Sequence, residues 1–548
     1  MRNAVGRSIS LVVLFLSVGY SAIGATISGT VKGSDGAPLK GAFVEARGAG
    51  GGQIANFAAV VLSDKQGHYR IENLSSGDYQ VSARKVAYKA TTPSAAKLGD
   101  GQSVSLNFDL QKTKIGWTEI SIHEGGMLLP DGPGKKVFFS NCVGCHGFQR
   151  QVASTRRDLN GWHSAVKYMR TEMRAATEKF TDEQENLVAA WFFQVFGQNS
   201  ELPASPEDVP NFKEHWRGEY SDEAMNIAYG VYDLPRTRLF PWSARPDKYG
   251  KVWLPFYHQN SVGMLDLKTG KIEITRINNP GDPLAGTRAA IHGSAVSPDG
   301  QTVWLAAADA NRLVKLDWRT GEQSLIAPPP VPPPGGRLGR GSVHDVWSDS
   351  KGIVWTIGNP AQRFDPKTGK WTQIPDLPDT YGMVIDQNED VWATEFKVGG
   401  ALGKIDGKTL KVTKYYPPNK NARPRRVAVD SKGNVWVGDW SGSLLRFDPK
   451  TEKFQEFEIP GPEPTPYSIQ VDRNDKVWFT SHFNDYLGRL DPQTGNFTKY
   501  PVPVSSDIGS REMFRDDQGR LWITSPPNDR IIYFTPPGTP AAVMQSAR

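Results

Sequence analysis

Asp430-Ser431-Lys432-Gly433-Asn434-Val435-Trp436 reads as a tight turn feeding a strand, and the same pattern returns along the C-terminal half of the chain. Tryptophans recur at Trp253, Trp304, Trp355, Trp392, Trp436, Trp478 and Trp522. An aspartate precedes six of them by a constant step: Asp247, Asp349, Asp386, Asp430, Asp472 and Asp516. The second unit has Pro298-Asp299-Gly300 instead, with one extra residue. Asp-x-x-Thr turns follow at Asp266, Asp317, Asp365, Asp406, Asp448 and Asp491. Each unit therefore reads strand, turn, Trp strand, loop, strand, turn, strand, and such a unit repeated every ~40–50 residues is a propeller blade. The tryptophans predict a seven-bladed β-propeller over 225–538. The last unit stops after Ile531-Ile532-Tyr533-Phe534, so Ala228-Tyr229-Gly230-Val231-Tyr232 is expected to supply its outer strand and leave no open edge.

Strand order places the loops between blades and the loops after the Trp strands on one face, around the channel. The start of each inner strand lies a fixed step before its Trp, which selects Trp242, His292, His344, Tyr381, Arg425, Tyr467 and Arg511. All are large and polar or aromatic. His258, Glu395, Asp439 and His482 follow the Trp strands on the same face, and the Pro-rich insert Pro328 to Pro334 enters it as a stiff lid. Convergent polar groups at a channel mouth are a candidate ligand or catalytic site for a small-molecule substrate, although propeller mouths are polar even without one.

Working back towards the N-terminus, Cys142-Val143-Gly144-Cys145-His146 holds both cysteines of the chain. In a CxxCH motif two thiols add to haem vinyl groups and the adjacent His ligates the iron. A zinc site has no further cysteine to complete it, and a redox dithiol would be expected beside a βαβ pattern, which is missing. Cys142 and Cys145 are thus the expected covalent attachment of one haem c, with His146 as proximal ligand. Gly134 to Phe139 reads as an amphipathic helix before the motif. Thr181-Asp182-Glu183-Gln184 opens a later helix with a capping Thr and acids in its first turn, and Leu187, Val188, Trp191, Phe192 and Val195 form its apolar side. Met169 and Met173 lie on one helical face with Trp162 and Val166, as distal-ligand candidates or as core; His163 is a further candidate.

At the start of the chain, Arg2 and Arg7, the apolar run Ile9 to Val18, and the small residues Ala22, Gly24 and Ala25 form a signal peptide over 1–25, which implies a periplasmic or secreted protein. No later segment approaches the ~20 apolar residues of a membrane span. Gly 55 and Pro 40 favour many short strands, and the net charge of +6 contains no cluster suited to nucleic acid. Residues 26–112 read as strands with Gly-rich turns, Gly36-Ala37-Pro38-Leu39 and Asp64-Lys65-Gln66-Gly67 among them. The reading is multidomain and mainly β: a β-sandwich over 26–112, a small all-α domain over 113–198, a linker over 199–224, the propeller, and a tail over 539–548.

Three resemblances add to this reading. Gly29-Thr30-Val31 through Gly41-Ala42, with Gly67-x-Tyr69 and Gly77-x-Tyr79, resembles the carboxypeptidase regulatory-like domain, which implies a structural or docking module without peptidase chemistry. Residues ~127–198 resemble a class I cytochrome c domain, which implies helices wrapped round haem. In that family the ligating Met often stands eight residues before the start of the last helix. The step from Met173 to Thr181 matches, so the resemblance favours Met173, with Met169 as the alternative; Arg174 replaces the family's usual Pro. The blades resemble virginiamycin B lyase (streptogramin lyase) propellers across ~225–538. That implies Mg²⁺ in the propeller and catalytic roles for His292, His344, Glu395 and His482, though most blades lack the Glu that the family repeats. Three function classes remain open: an oxidoreductase whose propeller feeds electrons to haem, a lyase with an accessory haem domain, and a non-enzymatic carrier whose propeller docks a redox partner protein.

Overall fold

The protein is described here from a computed structural model covering residues 24–49, 56–144, 146–171, 180–217, 219–277, 289–330, 341–504 and 507–538. Most of the expected signal peptide, Cys145, Met173, residues 331–334 of the Pro-rich insert and the tail 539–548 lie outside the described residues.

The chain is mainly β. Ala25–Gly33, His68–Leu74, Ser103–Ser105 and Phe108–Leu110 form one sheet of an N-terminal β-sandwich. Phe43–Gly48, Phe57–Leu62, Gly77–Arg84 and Ser94–Leu98 form the other. Gly77–Arg84 shows the period-two pattern of a half-buried strand, with Tyr79, Val81 and Ala83 inside. Phe57–Leu62 is buried at every position, as its unbroken apolar run requires.

The C-terminal region is propeller-like: six separate four-stranded antiparallel sheets follow one another from Arg245–Pro246 to Phe497–Pro501. The seventh has three strands, Phe514–Arg515, Leu521–Ser525 and Arg530–Thr535, and takes its outer strand from Ala228–Asp233, with Tyr229 opposite Phe534. The expected closure is therefore observed. The free edge of Ala228–Asp233 is in turn covered by Phe57–Leu62, with Tyr232 opposite Phe57 and Tyr229 opposite Val60, so one eight-stranded sheet runs from sandwich to propeller. Ala58 and Val60 pack in one cluster with Val231, Ile532 and Phe534, and Asp233 pairs with both Arg47 and Arg530 across the junction.

Within a blade the conserved spacing of Asp and Trp has a direct cause. Asp430 Oδ1 accepts from the backbone N–H of Lys432 at 3.0 Å and of Asn434 at 2.9 Å, while Oδ2 accepts the Trp436 indole N–H at 3.0 Å. One carboxylate thus closes the turn and holds the tryptophan. Gly433 sits at φ +84°, which the turn requires and a side chain resists. The indole bond recurs in the other regular blades at 2.8–3.2 Å. In the second blade Asp299 stands one residue nearer its Trp, and the buried Trp304 N–H has no partner among the described residues. The Asp-x-x-Thr turns work similarly: Asp406 Oδ1 accepts from Lys408 N at 3.0 Å and Thr409 N at 2.7 Å.

Between sandwich and propeller lie α1 (Ile122–Leu128), α2 (Pro133–Asn141), α3 (Leu159–Thr171), α4 (Asp182–Phe196) and α5 (Phe212–His215). Thr181 and Gln184 form a capping box at the start of α4, as the sequence suggests. Gly134 lets α2 lie directly on α4, since a Cβ there would stand 2.1 Å from the Leu187 carbonyl. Phe138, Phe148, Trp162, Val188, Phe192 and Phe196 belong to a single core. The segment 199–224, expected as a linker, is structured: Phe212 is buried in that same core and stacks on Trp216 at 5.3 Å. Its few large apolar residues outweigh its polar composition.

Substituting Asp472→Ala removes the acceptor of both the Trp478 indole and the turn amides and leaves a buried donor unpaired, an expected loss of about 1–3 kcal/mol. Asp299→Ala, which frees no indole, is expected to cost less. Urea unfolding followed by tryptophan fluorescence compares the two.

Candidate functional site: the channel mouth and the segment seated on it

The inner-strand positions selected by counting form a packed ring. Trp242, His292, His344, Tyr381, Arg425, Tyr467 and Arg511 are all buried. His292, Tyr381 and Arg425 each sit where the inner strand bulges against the Trp strand, and a further irregularity spans Tyr467. A bulge re-aims its side chain, which here turns it into the mouth. Neighbouring rings touch: Trp242 and His292 at 5.0 Å, His292 and His344 at 3.9 Å, His344 and Tyr381 at 5.0 Å between centroids. The Tyr381 and Tyr467 hydroxyls are 2.7 Å apart, and Arg425 donates to Tyr381 at 3.0 Å. The Arg425 guanidinium lies 3.8 Å from the Tyr467 ring centre and 4.1 Å from Trp440, so aromatic faces hold its charge.

A charged layer lies beneath, and sequence reasoning missed it. Arg426 donates to Asp345 at 3.1 Å and bonds Glu512, while Arg245 stands 3.4 Å from Asp345 and 3.6 Å from Glu512. Burial pushes the Glu512 carboxyl up, against the pull of Arg426 and with the Asp345 charge adding to the rise. The signal was present: three ring positions are followed at once by a charge, in His344-Asp345, Arg425-Arg426 and Arg511-Glu512. One nitrogen of His292 and one oxygen each of Asp345 and Glu512 come within 4.8 Å of one another, close enough to hold a metal ion. Both carboxylates are already engaged by guanidinium groups.

The four residues singled out as catalytic candidates occupy different settings. His292 and His344 stack together. Glu395 is buried and held by Lys414 at 2.9 Å and the Ala401 amide at 3.2 Å. His482 faces Arg511 at 3.2 Å and the Tyr467 ring at 5.4 Å. Burial first, then Arg511 and Arg425, holds the His482 imidazole well below its usual range, so it is neutral at pH 7. The structure thus brings His292 and His344 together but sets Glu395 and His482 in separate polar contacts. His258 packs on Phe240 at 4.7 Å.

The CxxCH segment is seated on this mouth. α2 ends at Asn141 with Cys142 as its C-cap, and Val143 is buried with its backbone against His482. Gly147 N donates to Asp507 Oδ1 at 3.0 Å, and Arg150 donates to the Pro527 carbonyl at 3.0 Å and to Asn528 at 2.7 Å. Farther round, His123 N donates to the Phe483 carbonyl at 2.9 Å. His146 Nδ1 lies 2.8 Å from the Gly147 carbonyl. A carbonyl only accepts, so Nδ1 carries the proton and Nε2 keeps its lone pair. Burial lowers the His146 pKa, with Arg511 adding to the fall, which favours the neutral, ligand-competent imidazole. Of the other haem candidates, Met169 and His163 are half-buried on α3, and Met169 shares a face with the buried Trp162 and Val166. The Trp162 indole N–H is buried without a partner among the described residues, a donor that a carboxylate-bearing group would satisfy.

These parts define a mainly β protein in which a sandwich is welded to a propeller-like region. Residues 26–111 match the carboxypeptidase regulatory-like domain and residues 378–544 match the virginiamycin B lyase family. No curated protein matches the chain. Among solved structures, a streptogramin B lyase is 20% identical over 57% of this chain and 99% of its own, with a TM-score of 0.49. Virginiamycin B lyase from Staphylococcus aureus is 20% identical over 56% of this chain and 98% of its own, with a TM-score of 0.48. The Kuenenia stuttgartiensis hydrazine synthase is 12% identical over 55% and 96%, with a TM-score of 0.43.

Two measurements check the site's energetics. Arg426→Met leaves Asp345 and Glu512 underpaired in the interior and is expected to cost about 3–5 kcal/mol in urea unfolding. Burial raises Asp507 and, with help from the Asp507 charge, Asp485, each to about 6. A raised folded-state carboxyl pKa contributes stability below the unfolded value of about 3.9 and loses it as pH rises through 6. Asp507→Asn is therefore expected to gain about 2–3 kcal/mol relative to the parent protein between pH 4 and pH 7, read from urea midpoints at both.

Proposed function

We propose that this chain is an exported, periplasmic or secreted, c-type cytochrome that carries one haem on Cys142 and Cys145, and whose propeller binds a small substrate and passes its electrons to that haem. His146 is the proximal ligand. Met173 is the distal ligand, with Met169 the alternative. The observation that carries the reading is the state of His146: within a CxxCH motif, its Nδ1–H is committed to the Gly147 carbonyl, and its Nε2 is left as a neutral donor. The orphaned Trp162 N–H and the aromatic core around Phe138 and Phe192 support it. When bound, the haem supplies one-electron chemistry. The chain's own residues bind and orient: the mouth ring offers aromatic faces and two guanidinium groups, and the helical core excludes water. A redox partner protein would then take the electrons onward.

The family match over 378–544 supports a second reading, a metal-dependent lyase acting through His292, His344, Glu395 and His482. On this reading Mg²⁺ would have to displace Lys414 from Glu395 or Arg426 from Asp345 and Glu512.

Expression in a host with haem-attachment machinery decides between them. The proposal expects a Soret band that survives acid-acetone extraction, its loss in Cys142→Ala, and reduction of the haem by some member of a small-substrate library. Lactone opening that depends on Mg²⁺, with the haem spectrum unchanged, would favour the lyase. Mature protein with free thiols and no Soret band would end the cytochrome reading.

A further inference from the structure

The cavity where sandwich, helices and propeller-like region meet holds two cations that no ion pair neutralises among the described residues. It measures about 400 Å³ and shares no residue with the mouth ring. Phe43, Arg84 and Lys85 line it from the sandwich, Trp216 from the helical region, and Val502 and Val504 from the propeller-like region. Such a volume suits a small organic ligand. Arg84 ends the strand Gly77–Arg84 opposite Phe43, and its guanidinium lies 4.6 Å from the centre of that buried ring. Its Nη2 is buried with no acceptor among the described residues. Glu45, the acid that acts on it most, is bonded to Arg47 at 2.7 Å. Burial pushes Arg84 down to about 10, against the pull of Glu45 and with Arg530 adding to the fall. Lys85 donates to the Lys40 carbonyl at 2.8 Å, and burial lowers it too, against the pull of Glu219. The other charges at the cavity are engaged or peripheral. Lys40 pairs with Asp222 at 2.6 Å, and Arg217 donates to the Glu119 carbonyl at 2.7 Å. Asp485 accepts from the Asp507 and Ile508 amides at 3.0 and 2.8 Å, while Glu207 and Glu219 are exposed.

From this geometry we propose that the junction cavity is a binding site for a small organic monocarboxylate with an aromatic or apolar body. The acid group meets Arg84 and Lys85, and the body lies against Phe43, Trp216, Val502 and Val504. A guanidinium fork matches a carboxylate, and hydrogen bonds between ionised partners are stronger than neutral ones, more so away from bulk water. One anion in the cavity offers a counter-charge to both cations. The exposed Glu207 and Glu219 oppose a second negative charge, which sets a monocarboxylate above a phosphate ester. A ligand held there touches sandwich, helices and propeller together, so its binding stabilises their association by mass action. The inference is independent of haem attachment and of any chemistry at the mouth.

The test is isothermal titration calorimetry of the full-length protein at pH 7 with benzoate, 3-phenylpropionate and octanoate, each beside its neutral primary amide. At least one carboxylate is expected to bind, and its amide to bind about tenfold more weakly or not at all. Arg84→Met and Lys85→Gln are each expected to weaken the carboxylate about tenfold and to leave the amide unchanged. The urea midpoint of the parent is expected to rise with the bound carboxylate, and that rise to be lost in Arg84→Met. A carboxylate that binds the parent and both variants alike is held elsewhere, the mouth included, and overturns the inference. Equal binding of acid and amide overturns it as well, because the cations would then play no part. So does the absence of binding by all three carboxylates. If Arg84→Met does not accumulate, undiminished binding to Lys85→Gln overturns it alone.

Discussion

A single carboxylate with two tasks organises most of this molecule. In each regular blade one oxygen of the aspartate caps the turn amides and the other takes the tryptophan indole N–H. The turn cannot change length without breaking the second bond, and the tryptophan cannot turn without breaking the first. Register along the Trp strand is thereby tied to the turn, and the inner strand that pairs with it inherits that register. The ring at the mouth depends on this tie. A slip of one residue would rotate each inner-strand side chain to the other face, and the stack from Trp242 through His344 to Tyr381 would not form. The second blade shows what the bond is worth locally: its turn is one residue longer, its indole is unpaired, and its strand pairing still holds through neighbours. Six bonded blades tolerate one exception.

The mouth built on this frame is filled rather than open. Seven large side chains converge where a plain structural repeat would accept small ones, and they contact one another at aromatic distances. Beneath them Arg245 and Arg426 pair with the carboxyl groups of Asp345 and Glu512, the second of which burial shifts towards its protonated form. Removing either sign leaves buried charge uncompensated, so the layer is self-consistent and resistant to piecemeal change. Such a layer ties several blades together across the channel, where backbone hydrogen bonds do not reach.

The repeat, the closing strand, the helix caps and the ring were legible because each rests on spacing within a short stretch. Asp430 and Trp436, Thr181 and Gln184, or Trp522 and Arg511 are related by counting. The contacts that join modules were not. Nothing in Phe57 to Leu62 names Ala228–Asp233 as its partner, because an unbroken apolar strand announces burial without saying against what. The structured stretch around Phe212 and Trp216 was hidden by its polar neighbours. The charged layer was half visible, since His344-Asp345, Arg425-Arg426 and Arg511-Glu512 share one offset, yet pairing between blades depends on the closed ring and not on neighbours in sequence. At the CxxCH motif, spacing raises an expectation of haem attachment, while the seating of the segment on the mouth depends on Asp507 and His482, more than three hundred residues away.

That long-range seating bears on how the parts work as one. The sandwich reaches the propeller through a continuous sheet, and α1 and the CxxCH segment reach the propeller through His123, Gly147 and Arg150. Three links on one side of the helical core fix its orientation far better than a flexible tether would, because each bond restricts a different direction of movement. Orientation matters for electrostatics more than for packing: a charge a few ångströms away in a dry interior acts strongly, and the same charge on a swinging arm is averaged by solvent. The welded sheet and the seated segment therefore convert residues of the propeller into permanent neighbours of His146, so the properties of that histidine belong to the whole fold.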